Sequence, residues 1–136
     1  MTKLRQNFRT LLAALIALTL VGFTAQGANL SDKDKQFLGG YDKLRAALAA
    51  DDLGKAKTAA KELGDDGTDF MKAISLADAR VAFEKLSAKA KGLITGQSGF
   101  YVVHCPMLKK DWVQTSDKIE NPYGGKNMLT CGEVKK

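Results

Sequence analysis

Apolar residues recur at spacings of three and four along the first half of this chain after residue 30, the period of a helix with one buried face. Phe37, Leu38, Tyr41, Leu44 and Leu48 form the first such stripe, and Ser31 with acidic Asp34 three residues later reads as its N-terminal box, so a helix is expected over about 32–50. Asp51 and Asp52 offer a second N-cap. The stripe that follows, Leu53, Ala56, Ala60 and Leu63, is narrow and alanine-rich, and Gly64 is placed to end it in a left-handed turn. After the turn-forming Gly64–Asp69, Thr68 or Asp69 is expected to cap a segment carrying Phe70, Met71, Ile74 and Ala77, with room for a break near Leu76. Asp78 is expected to cap a last helix to about Thr95 whose face holds Val81, Ala82, Phe83, Leu86, Ala90 and Leu93.

Past Thr95 the pattern changes. Gly96-Gln97-Ser98-Gly99 breaks the helix, Phe100-Tyr101-Val102-Val103 is strand-forming, and both prolines of the chain fall at 106 and 122. The predicted fold is therefore mainly α: a bundle of three to four helices (31–96) with an irregular, loop-rich C-terminal cap (97–136) containing a short strand or extended segment.

The N-terminus adds an address. Lys3, Arg5 and Arg9 precede an apolar run from Leu11 to about Ala25 that closes in the small-residue pattern Ala25-Gln26-Gly27-Ala28, the arrangement of a secretory signal peptide over residues 1–28. The rival reading is a retained anchor, but the run is about 15 residues where a spanning helix needs roughly 20. The expectation is a periplasmic or secreted protein with no stable membrane insertion after cleavage, leaving 29–136 as one domain. Cleavage removes three of the 21 basic residues and no acidic one, so the formal charge falls from +6 to +3. The remaining charges are interspersed along helix faces, without a stripe suited to phosphate backbones, so nucleic acid is not an expected partner.

Candidate chemistry is concentrated in the cap. The only histidine, His104, stands next to Cys105 and three residues before Met107, and Met128 precedes Cys131 by three. Thiolate and thioether sulfur are soft ligands that select Cu(I), and imidazole also suits copper, so two short clusters joined by a loop form a candidate metal site. The pattern lacks the paired CxxC of structural zinc and the CxxCH of haem attachment. In an oxidising compartment the competing assignment of Cys105 and Cys131 is a disulfide, and closing a loop of about 27 residues is worth roughly 3.5 kcal/mol. Spacing alone favours the bridge. Met107 and Met128 also read as gap-fillers, and Trp112 and Tyr123 as residues that pack the cap onto the bundle, each with a polar tip needing a partner. Catalysis is not expected: neighbours on an extended chain such as His104 and Cys105 point to opposite sides, and no acid, base and nucleophile set is recognisable.

These residues carry a resemblance. Cys105-Pro106-Met107, Trp112, the run Asn121 to Gly132 (NPYGGKNMLTCG) and the helix motif R-x-x-F-x-x-L-S through Arg80, Phe83, Leu86 and Ser87 are similar to a family of small, uncharacterised domains of secreted bacterial proteins, also found appended to copper-efflux membrane-fusion proteins. The likeness covers about 35–134, with Leu108-Lys109-Lys110-Asp111 departing from the family pattern. It implies a mainly helical periplasmic domain concerned with copper or other heavy metals, with an envelope metal-efflux or metallochaperone protein as partner. Cys105, Met107, Met128 and Cys131 match the motif; His104 precedes it.

Overall fold

The computed structural model describes residues 29–136; the expected signal peptide lies outside the described residues. The helices are α1 (Asp32–Ala49), α2 (Leu53–Lys61), the single turn α3 (Thr68–Met71) and α4 (Leu76–Leu93), with a 3-10 turn at Gly64–Gly67 between α2 and α3. The cap contains β1 (Tyr101–Cys105), β2 (Lys110–Gln114), a 3-10 turn at Gly125–Met128 and the two-residue β3 (Glu133–Val134). Among the described residues no helix is long and apolar enough to cross a membrane.

Local chemistry sets the helix starts. The Ser31 hydroxyl accepts from the Asp34 N–H at 3.1 Å and donates to the Asp34 carboxylate at 2.6 Å. Ser75 and Asp78 repeat this, at 3.1 Å and 2.8 Å. The last helix is thus capped by Ser75, not by Asp78 as expected, because a serine hydroxyl three residues upstream reaches the orphan N–H that Asp78 itself presents. Asp52 caps α2 through the Lys55 N–H at 2.8 Å, and Gly64 adopts the left-handed φ of 57° expected of it.

Two expected stripes are interrupted. Phe70 is buried, but Ile74 is 87 % exposed, because α3 ends after one turn and Ser75 turns extended before α4 begins. Neither Thr68 nor Asp69 caps α3; the N-cap position is Gly67, without a side-chain bond. Val81 is 69 % exposed although Phe83, Leu86 and Ala90 on the same helix are buried. Two residues along a helix is a rotation of about 200°, which puts Val81 on the far side from Phe83.

The cap is more regular than expected. Its strands form one antiparallel sheet in the order β2-β1-β3, with Val103 opposite Trp112 and His104 opposite Asp111. Bundle and sheet share a single core in which Tyr41, Leu44 and Leu48 of α1, Ala56 and Ala60 of α2 and Phe83 of α4 meet Val103, Trp112 and Val113. The alanines of α2 keep that helix close to its neighbour. Aromatic rings cross the junction in series: Tyr41 stacks on Phe83 at 5.0 Å, Phe83 meets Tyr123 at 5.5 Å, and Tyr123 meets Trp112 at 6.3 Å. Such pairs add to the stabilisation from burial alone.

Candidate functional site

Cys105, at the end of β1 and fully buried, is joined to Cys131 by a disulfide with the Cα atoms 5.6 Å apart. The fold therefore brings the two sulfur clusters together as sequence reasoning required, and it does so with the cysteines bonded to each other. A bonded pair offers no thiolate. Thiolate coordination of a metal accordingly belongs to the reduced chain.

The other candidate ligands have different surroundings. Met107 lies in the turn after β1 and is 76 % exposed, which removes its reading as a gap-filler. Met128 is half-buried against the core and has the packing role considered for it. His104 alternates with the buried Cys105 along β1, so the two side chains leave opposite faces of the strand. Its Nδ1 lies 2.7 Å from Asp111 Oδ1 across the β1–β2 pair, and since a carboxylate only accepts, Nδ1 carries the proton. Among the described residues no group of three or more His, Cys, Asp or Glu side chains is arranged to hold a metal ion.

The residues between the clusters build the arm that the bridge secures. Asn121 is fully buried and uses its whole amide: Oδ1 accepts from the Tyr123 and Gly124 N–H groups, both at 2.9 Å, and Nδ2 donates to the Cys131 carbonyl at 2.8 Å. Its backbone N–H donates to the Leu129 carbonyl at 2.8 Å. Arg80 of α4 donates to the Pro122 carbonyl at 2.8 Å, to the Leu48 carbonyl at 3.1 Å and to Asp51 Oδ1 at 2.5 Å. Asp51 also accepts the Lys126 N–H at 3.0 Å; that bond and the Arg80 guanidinium hold its carboxyl below the usual carboxylate range. Gly125, at φ 58°, sits where any Cβ would collide with the Asp51 and Arg80 side chains. Arg45, buried on α1, reaches the same arm through the Glu120 carbonyl at 3.2 Å.

Both aromatic tips find partners. Trp112 Nε1 donates to Gln114 Oε1 at 2.8 Å, and the Tyr123 hydroxyl donates to Ser87 Oγ at 3.1 Å. Ser87 also lies 2.8 Å from the Tyr41 hydroxyl, which accepts the Val113 N–H at 3.1 Å. Burial pushes the Tyr41 and Tyr123 hydroxyls well above the ordinary tyrosine range despite these bonds, so both remain neutral. No buried side-chain nitrogen or oxygen among the described residues lacks a partner. Arg80, Phe83 and Ser87 of the helix motif, like Asn121, Pro122 and Gly125 of the C-terminal motif, thus fasten cap to bundle.

Sequence reasoning missed a cluster around Asp111. Its carboxylate accepts from Lys91 Nζ at 2.8 Å and Lys135 Nζ at 3.0 Å as well as from His104. Burial works to raise its pKa, but the bonds from Lys91, His104 and Lys135 outweigh it and hold the carboxyl well below the usual range. These partners are 20, 24 and 7 residues away in the chain, and no local pattern encodes them.

Comparison of the chain with models of protein families, with curated proteins and with solved structures finds no match.

Proposed function

We propose that this is an exported, non-catalytic recognition domain whose C-terminal arm is held in a binding-competent shape by the Cys105–Cys131 bridge, and which docks on an envelope partner. The observation that carries this reading is the bridge itself, because it consumes both thiolates and ties together the two segments that the candidate motif links. A staple is worth most in a small domain folded where thiols are oxidised. Intact mass measured without reductant on protein taken from the periplasm tests it: the expected mass is two hydrogens below that of the reduced chain. A fully reduced native protein contradicts it.

A second reading has its own observation. Met107, two residues from the bridged Cys105, is held out to solvent, so its thioether is open to an incoming soft ion. In that reading the reduced chain carries a soft ion, Cu(I) by its ligand chemistry, on Cys105 and Cys131 with Met107, Met128 and His104 as further donors. Cu(I) titration of reduced and oxidised protein separates the two readings. Tight binding confined to the reduced chain and weakened in Met107→Leu supports the carrier; equal affinity in Met107→Leu and Met128→Leu removes the methionines from it.

A further inference from the structure

A hollow of about 330 Å³ opens between α4, the β1–β2 hairpin and the segment after β3. Its walls carry the ammonium groups of Lys91, Lys109, Lys110 and Lys135 against the carboxylates of Glu84 and Asp111. Lys110 pairs with Glu84, and Lys91 and Lys135 share the single charge of Asp111. Lys109, exposed and at φ 54°, has no ionic partner among the described residues. Counting these lysines and carboxylates alone, two positive charges are left in excess. Charges of one sign gathered on a concave surface attract a counter-ion into it.

The donor inventory points the same way. Each ammonium has three N–H groups, and Lys110 spends one on Glu84, while Lys91 and Lys135 each spend one on Asp111. A cation would be repelled by this surplus. The cationic groups come from three separate segments and none is an arginine, so an anion here is held by separate point charges and not by a planar fork. Point charges converging from several directions suit a tetrahedral oxyanion. At about 330 Å³ the hollow is larger than phosphate alone requires and leaves room for a small organic group.

We propose that this hollow binds a phosphate-type dianion carrying a small organic substituent, either as a free phosphate monoester or as the headgroup of an anionic lipid. Lys135 is delivered to the hollow by the arm that Cys131 anchors, since its N–H donates to the Val102 carbonyl at 2.8 Å just after β3. The site goes beyond the staple reading and is tested on the oxidised chain, so its failure leaves that reading standing.

The experiment is an amide NMR titration of oxidised protein with glycerol phosphate, ionic strength being held constant with chloride. Saturable shifts confined to the hollow are expected. Lys109→Gln/Lys135→Gln, both exposed positions, should weaken binding about fivefold, the loss of roughly 1 kcal/mol of exposed charge pairing. The rest of the double variant's spectrum should stay unchanged, which separates loss of binding from loss of fold. Equal shifts with chloride alone, no saturation, or an unchanged affinity in the double variant would overturn the site. Co-sedimentation with phosphatidate vesicles, absent with phosphatidylcholine and competed by glycerol phosphate, assigns the lipid source; glycerol phosphate binding without vesicle binding assigns the free ester. Vesicle binding that glycerol phosphate fails to compete contradicts the hollow as the phosphate site.

Discussion

In the bundle, α1 and α4 each begin at a serine whose hydroxyl takes the N–H three residues on, and each buries a stripe set by the helical period. In the cap, the strands are short, one of them of two residues, and the order comes from side chains that reach across 10 to 75 residues of sequence. Arg80, Arg45 and Asn121 take up backbone carbonyls that no helix or sheet satisfies, and the bridge closes the arm. The difference teaches that one shared core can be closed from one side by local propensity and from the other by specific polar clamps. Losing a bundle contact should loosen packing by degrees, whereas losing a clamp leaves a buried partner without a bond.

That contrast can be broken most severely at Trp112, where both regions meet. Trp112→Ala empties a fully buried site and should cost about 4 kcal/mol in denaturant unfolding, with helical and aromatic signals lost together because the core is common. Independent transitions would show two cores instead of one. Cys105→Ala/Cys131→Ala should come next, at about 3 kcal/mol, from the freed loop entropy of the unfolded chain. Arg80→Met should cost about 2 kcal/mol by leaving the Pro122 carbonyl without its donor and the Asp51 carboxylate without its cation, while the Leu48 carbonyl keeps the Asp51 N–H. Its signature is lost protection at Gly125 and Lys126, with α2 unaffected. Ser75→Ala, a purely local cap, should cost about 1 kcal/mol and fray only the start of α4.

Acid probes the cap separately. Asp111 has its folded pKa depressed, so the folded state binds fewer protons than the unfolded state between that value and the unfolded carboxyl value of about 3.9. Its contribution is present in full above the unfolded value and is lost as pH falls through the folded one. Acid unfolding followed from neutrality downward should therefore begin below about pH 5, and Asp111→Asn should flatten that limb. An unchanged slope in the variant would remove Asp111 from the account.

How much of this was legible follows from the same physics. The bundle announced itself through Phe37, Tyr41, Leu44 and Leu48, through Ser31 with Asp34, and through Gly64, because each signal lies within one or two turns of its effect. The exposed Ile74 came from carrying a helical stripe up to the break that Ser75 makes, the misplaced cap from reading Asp78 as the acceptor where Ser75 is, and the exposed Val81 from widening the α4 stripe past the face that Phe83 sets. In the cap, Phe100 to Val103 betrayed β1, but Lys110 to Gln114 hardly alternates and buries its last three residues in succession, so β2 was hidden. The meeting of Cys105 with Cys131 was foreseeable from redox compartment and count. The cluster on Asp111 was not, because Lys91, His104 and Lys135 converge only after the sheet has formed.

The central claim is that the C-terminal arm owes its local order to the bridge and its clamps, while the helices are set by their own caps and periodicity and held by the shared core. Native-state amide hydrogen exchange, compared between oxidised and reduced protein, measures this directly. The account predicts that reduction strips protection from the bonded amides of Asn121, Gly125, Cys131 and Lys135 and leaves the middle of α1 and α4 protected. Uniform loss across the helices, or no change in the arm, would contradict it.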